Sequence, residues 1–238
     1  EGPVPTDGLR LDDVWVAYHC RNSSQLLEPH YVIRGLTTHA PGGSILVLLG
    51  FSGSGKSSLL EAIAWATTSS ENDKCAPHAP FLSHGSVTLQ GRPRRQWGIA
   101  PWLQQLAFLR QKYARFRMSV ADNIAIGSSS RAFQGQLGLD GDGSREAAVK
   151  VALKFACASD FVNDLPAQLK TLLVDDSAAP YEAVKSTDGE GATAALASGE
   201  WTTIARARTL SAFNTSRLVL LDDPTNGMSE DDENTFMM

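Results

Sequence analysis

Cysteine is scarce in this chain, and the three present, Cys20, Cys75 and Cys157, are far apart and odd in number. That spacing excludes a disulfide framework and a cysteine-built metal knuckle, and makes a reducing compartment the default. Long apolar runs are missing too: no stretch reaches membrane-spanning length, and the first residues carry no signal-peptide pattern. Positive charge is not in excess. The net charge is −5, which argues against a nucleic-acid groove, so no nucleic-acid partner is expected. The one short basic run, Arg92 to Arg95, is interrupted by Pro93 and reads as a solvated turn. The histidines, His19, His30, His39, His78 and His84, show no ligand spacing with cysteine or carboxylate. None stands at a recognisable offset from a serine, which sets aside Ser57, Ser58 and Ser198 as nucleophiles.

What is there is an ordinary globular composition, 42% hydrophobic and 20% charged over 238 residues, enough for one sizeable α/β domain. The most informative stretch is Gly50-Phe51-Ser52-Gly53-Ser54-Gly55-Lys56-Ser57-Ser58. The apolar run Ile45-Leu46-Val47-Leu48-Leu49 leads into it as a buried parallel strand would, and Ser57 to Ala66 reads as a helix. Strand, glycine loop and helix in this order make a phosphate-binding loop. The glycines let backbone N–H groups close around phosphate oxygens, and the helix N-terminus adds partial positive charge. Lys56 is placed to reach β- and γ-phosphates, and Ser57 to hold Mg²⁺ through its hydroxyl.

Around this loop, residues 9–18 and Tyr31 to His39 read as strands, with a polar loop over 19–30 between them. Thr67 to His84 reads as a surface insertion and Ser86 to Gln90 as a short strand closed by Gly91 and Pro93. Ser119 caps a short helix through Ile124. Ser128 to Gly143 is a low-complexity loop, and Ser144 caps a helix over 145–156 with its apolar face at Ala148, Val151, Ala152 and Phe155. Asp175 to Ala195 reads as a second insertion, and Ser198 to Leu210 as a helix. A second strongly apolar strand, Arg217 to Leu221, ends in Asp222 and Asp223. Such a strand delivers its C-terminal end to a ligand crevice. Asp222 would then face the Mg²⁺ held by Ser57, and Asp223 would orient or deprotonate an attacking water.

Taken in order, these blocks resemble the nucleotide-binding domain of an ATP-binding cassette (ABC) ATPase. Gly50 to Ser58 resembles its Walker A loop and Leu218 to Thr225 its Walker B block. Leu196-Ala197-Ser198-Gly199-Glu200 stands where the family writes Leu-Ser-Gly-Gly-Gln, and Ile204 to Leu210 is similar to the helix that follows. Ser119 to Ile124 and Phe161 to Pro166 with Thr171 are similar to segments of exporter-type members. The resemblance implies that Tyr18 stacks on adenine. It also implies that Gln104, or Gln105, contacts Mg²⁺ and faces a transmembrane partner. Trp97 and Trp102 bracket that region, where they would either dock the partner or pack half-buried. Gly50, Ser52, Gly53, Ser54, Gly55, Lys56, Ser57 and Ser58 would bind ATP, and Ser198, Gly199 and Glu200 the ATP of a second cassette.

The implied fold is a P-loop α/β core with an N-terminal antiparallel β-subdomain and an inserted α-helical subdomain over about 104–210. The family's switch histidine would lie beyond Met238, so the chain is expected to be one nucleotide-binding domain cut short of it. The implied partners are a transmembrane domain or subunit and a second nucleotide-binding domain. The implied place is the cytoplasmic or organelle-matrix side of a membrane, reached through that partner. Several positions depart from the family pattern. Ala197 lacks the signature hydroxyl, Ser198 replaces a glycine, Asp223 replaces the catalytic glutamate, and Ser229 takes the D-loop aspartate position. Binding of Mg-ATP with slow hydrolysis is the expectation that follows.

Overall fold

The computed structural model describes residues 8–18, 21–22, 25–26, 28–65, 80–128, 142–174, 192–213 and 215–237. The chain divides into two compact units, 1–106 and 107–238.

In the first unit, β1 (Leu9–Tyr18), β4 (His30–Ala40), β5 (Pro80–Leu89) and β6 (Arg92–Pro93) form an antiparallel sheet in the order β4-β1-β5-β6. Between β1 and β4, β2 (Arg21–Asn22) and β3 (Gln25–Leu26) make a short ladder inside the stretch read as a loop. Along β1, Leu9, Leu11, Val14 and Val16 are buried. Register shifts at Asp12 and Asp13 keep that apolar set on one face, as a bulge does. Strand β5 is longer than the sequence suggested. It starts at Pro80, and Phe81 and Leu82 are buried, because the apolar Pro-Phe-Leu segment has β1 to pair with. The rest of that expected insertion lies outside the described residues.

Helix α1 (Lys56–Trp65) buries Leu59, Ala62 and Ile63 and packs on β5 and β1. Its last turn would leave carbonyls without partners. Trp102, on α2 (Ile99–Leu103), supplies the donor: its indole N–H donates to Ile63 O at 3.2 Å and Ala64 O at 2.9 Å. Trp102 is 0% exposed, so it is neither half-buried nor available to a partner. The basic run is not a solvated turn either. Arg92 and Pro93 form β6, and Arg94 is buried with its guanidinium 5.0 Å from the Trp102 ring centre.

The largest departure is the run Ile45–Leu49. It forms no strand, and Ile45 and Leu49 are 90% and 89% exposed. Among the described residues it has no neighbouring strand to pair with, and an apolar run without a ladder is not a strand.

In the second unit, β7 (Leu106–Leu109), at its boundary, pairs with β10 (Leu218–Leu221), while β8 (Leu172–Val174) and β9 (Thr193–Ala195) form a parallel pair. The core lies among α3 (Val120–Ala125), α4 (Asp142–Phe155), α5 (Ser159–Asn163) and α6 (Ser198–Ser211), and is built on Val120, Ile124, Val149, Leu153, Val162, Trp201 and Ile204. A last helix, α7, covers Glu230–Met237. Helix α4 starts before Ser144, so Ser144 is not its cap. Its buried face is Val149, Ala152, Leu153 and Ala156, an i, i+3, i+4, i+7 set, while Val151 and Phe155 are 50% and 65% exposed. Both sets fit a helical period; the partners α3 and α6 select which one is buried. Of the loops expected over 128–143 and 175–195, residues 129–141 and 175–191 lie outside the described residues, while 142–143 belong to α4 and 193–195 form β9.

Ser119 caps α3 as expected, its hydroxyl accepting from Asp122 N at 3.1 Å. The adjoining Asn123 is 0% exposed. Its amide donates to the carbonyls of Phe116, Met118 and Ser119 at 3.0, 3.2 and 3.2 Å. Arg208 of α6 donates to Asn123 Oδ1 and Asn123 O, and also to Ala114 O. A buried amide satisfied on all sides thereby ties the segment after β7 to α6.

Candidate functional site

In the first unit, the glycine loop turns into α1 where Leu59 N donates to Gly55 O at 2.8 Å. Lys56 Nζ donates to the carbonyls of Gly50 and Phe51, each at 2.8 Å, and reaches Ser54 Oγ at 3.4 Å. The ammonium thus closes the loop upon itself. Two glycines make this path possible. A Cβ on Gly50 would meet Ser54 Oγ at 2.8 Å. One on Gly55, whose φ is +94°, would lie 3.0 Å from Ile33 Cδ1 and 3.3 Å from Val32 O. A tight backbone cradle at a helix N-terminus, spanned by a lysine, fits a phosphate group. Tyr18, at the end of β1, pairs its hydroxyl with Ser58 Oγ at 2.8 Å.

In the second unit, β7 and β10 end side by side, with Asp222 N donating to Leu109 O at 3.0 Å. Beyond these ends lies a cavity of about 180 Å³ lined by Gln111, Tyr113, Ser198, Thr202, Asp222 and Asp223, among others. Tyr113 Oη donates to Ser198 O at 3.1 Å and pairs with Thr202 Oγ1 at 2.8 Å. Arg115 donates to Ser198 Oγ at 3.3 Å. At the start of α6, the Glu200 carboxylate accepts from Ala197 N at 2.7 Å, while Ala197 contributes no side-chain oxygen. Asp223 has a φ of +53°, in the left-handed region that aspartate tolerates better than most residues. Ser229 caps α7 by accepting from Asp232 N at 3.2 Å.

Gln104 and Gln105, the expected cation ligands, both lie in the first unit. Gln104 is exposed at the C-cap of α2, and Gln105 is buried and donates to Pro101 O at 3.0 Å. In the second unit, Gln111 lines the cavity beside the aspartates. Sequence reasoning passed over Gln111, although a signal was present: it follows the apolar strand Leu106–Leu109 as Asp222 follows Leu218–Leu221. Within the second unit, the carboxylates of Asp222 and Asp223 and the amide of Gln111 are all oxygen donors. That chemistry suits a hard cation held jointly with phosphate oxygens.

The family model described as ABC transporter matches residues 33–226. Among curated proteins, the chain is 27% identical over 236 residues to Multidrug resistance protein 1 of Entamoeba histolytica, covering 98% of this chain and 14% of that one. It is 28% identical over 163 residues to ABC transporter B family member 28 of Arabidopsis thaliana, covering 68% and 19%. It is 25% identical over 202 residues to the ATP-dependent lipid A-core flippase of Chromohalobacter salexigens, covering 85% and 27%. The chain therefore spans less than a third of the length of these relatives. Among solved structures, a bacterial Atm1-family ABC exporter with ATP bound matches with a TM-score of 0.62 at 20% identity, over 99% of this chain and 32% of that one. That match speaks for the fold.

Proposed function

The chain belongs to the ABC transporter family, and from that membership we propose that it is the ATP-binding part of an exporter-type transporter that binds Mg-ATP firmly and hydrolyses it slowly. The observation that carries this reading is the Gly50–Ser58 cradle, closed by Lys56, in which the positive φ of Gly55 disfavours any Cβ. Its backbone N–H groups and Lys56 would hold the phosphates. Ser57 and Asp222 would hold Mg²⁺, with Gln111 in the place expected of Gln104. Held there, Mg²⁺ would supply the charge neutralisation that phosphoryl transfer needs. Asp223 would orient the attacking water.

Two features favour slow turnover. The Asp223 side chain is one methylene shorter than glutamate and hangs from a left-handed residue; a displacement of about 1 Å can lower a rate on the order of a hundredfold. Ala197 brings no hydroxyl to the α6 N-terminus, and Glu200 already occupies its N–H. These features also support a second reading, a nearly inactive cassette that binds ATP for a structural or regulatory role. In either case a second nucleotide-binding domain would complete the site, in a head-to-tail pair. A transmembrane domain or subunit would carry the cargo and hold this chain at the cytoplasmic or matrix face. Among the described residues, no helix is long and apolar enough to cross a membrane.

Calorimetry with Mg-ATP tests the reading. The chain should bind, and Lys56→Ala should weaken binding at least a hundredfold with its far-UV circular dichroism unchanged. No heat from folded protein would overturn the proposal. Steady-state turnover in the transporter separates the two readings, since a background rate with ATP retained points to the structural role.

A further inference from the structure

Tyr18 and Ser58 lie 40 residues apart in sequence, yet their hydroxyl oxygens are 2.8 Å apart. Both side chains are half-buried. Either hydroxyl could donate across this separation; a phenol is the more acidic of the two, which favours Tyr18 as the donor and Ser58 Oγ as the acceptor. This has a consequence for Ser58. A serine within a helix commonly turns its hydroxyl back onto the carbonyl four residues earlier, here Ser54. With Tyr18 donating to it, Ser58 Oγ keeps its own proton for a further acceptor. A hydroxyl that accepts one hydrogen bond also becomes a stronger donor in the next.

We propose that the Tyr18 hydroxyl is a positioning residue for phosphate: by donating to Ser58 it aims the Ser58 proton at a nucleotide phosphate oxygen. This rests on the nucleotide-binding reading above and deepens it. The resemblance would put the Tyr18 ring beneath the base, and its hydroxyl would then act, through Ser58, on the phosphates. The two roles separate experimentally because only one of them needs a base.

The test is competition against a fluorescent ATP analogue by two ligands, Mg-ATP and Mg-tripolyphosphate, which has no base. Tyr18→Phe keeps the ring and removes the hydroxyl. It should weaken both competitors equally, by about threefold to tenfold. Ser58→Ala should weaken both as well, and Tyr18→Phe in the Ser58→Ala background should add nothing. Ser58→Thr, which keeps a hydroxyl, should preserve sensitivity to Tyr18→Phe. Melting temperatures of all variants serve as the check on folding. Unchanged tripolyphosphate binding by Tyr18→Phe, or losses that multiply in the double variant, would overturn the inference while leaving the nucleotide site intact. Failure of the unmodified chain to bind Mg-ATP would overturn the underlying reading and this inference with it.

Discussion

Two apolar runs precede the two nucleotide motifs, and they fare differently. Leu218–Leu221 forms β10, pairs with β7, and keeps Leu220 at 4% exposure. Ile45–Leu49 is as apolar but forms no strand and leaves Leu49 at 89% exposure. Composition is nearly the same in both, so composition is not the cause. Pairing is: β10 has a ladder partner, whereas the earlier run has none among the described residues. A strand satisfies its backbone only through a neighbour, and apolarity gives it a reason to be buried without giving it that neighbour.

A matched pair of truncations is the most severe test of this contrast. Leu220→Ala should destabilise the protein by about 2–5 kcal/mol. Leu49→Ala should change stability by less than about 0.5 kcal/mol. Urea denaturation of the two variants reads the difference directly. Equal losses would break the contrast and restore Ile45–Leu49 as a buried strand. Amide hydrogen exchange sharpens the same point, with fast exchange expected over 45–49 and protection over 218–221.

The buried arginines repeat the lesson with charge in place of backbone. Arg206 is 1% exposed, and it donates to Ala156 O, Pro224 O and Thr203 Oγ1 at 3.2, 2.7 and 3.1 Å. Burial pushes its pKa down, and Cys157 and Asp232 oppose that. Arg94 is 9% exposed; among the described residues its Nε has no hydrogen-bond partner, and one N–H reaches Trp97 O at 3.3 Å. Burial pushes its pKa down, and among the described residues no carboxylate opposes that. Removing a well-partnered cation strands its acceptors; removing a poorly partnered one relieves a desolvation penalty. Arg206→Leu should therefore cost about 2–4 kcal/mol, and Arg94→Leu should stabilise by about 1 kcal/mol after the lost stacking on Trp102 is counted. Thermal unfolding of the two variants should move in opposite directions; movement in the same direction would mean that burial alone decides.

Much of this was legible in the sequence where the signal is local. The strand over residues 9–18, the Ser119 cap, the glycine loop and the helix at Ser198 each carry their own pattern of alternation, capping oxygen or glycine spacing. The errors fall where a partner decides. The buried face of α4 depends on α3 and α6, which no period within α4 can choose. Strand β5 gains its first half from β1. Trp102 is buried because α1 ends in carbonyls that need a donor. The expectation for Gln104 followed neighbouring motif letters, whereas Gln111 lies two residues past a strand that pairs with β10 and lines the cavity there.

Two helix starts give the smallest of these contrasts. At α3, Ser119 supplies an oxygen to Asp122 N, so Ser119→Ala should lose about 1 kcal/mol. At α6, Ala197 supplies none, and only the returning half of the capping pair is present, from Glu200 to Ala197 N. Ala197→Ser should therefore stabilise by about 0.5–1 kcal/mol. The same substitution restores the family's signature hydroxyl, so its effect on stability and its effect on turnover can be measured on one protein. A gain in unfolding free energy without a gain in turnover would mean that Ala197 limits the helix and not the chemistry. Gains in both would tie the weak cap and the slow site to a single missing oxygen.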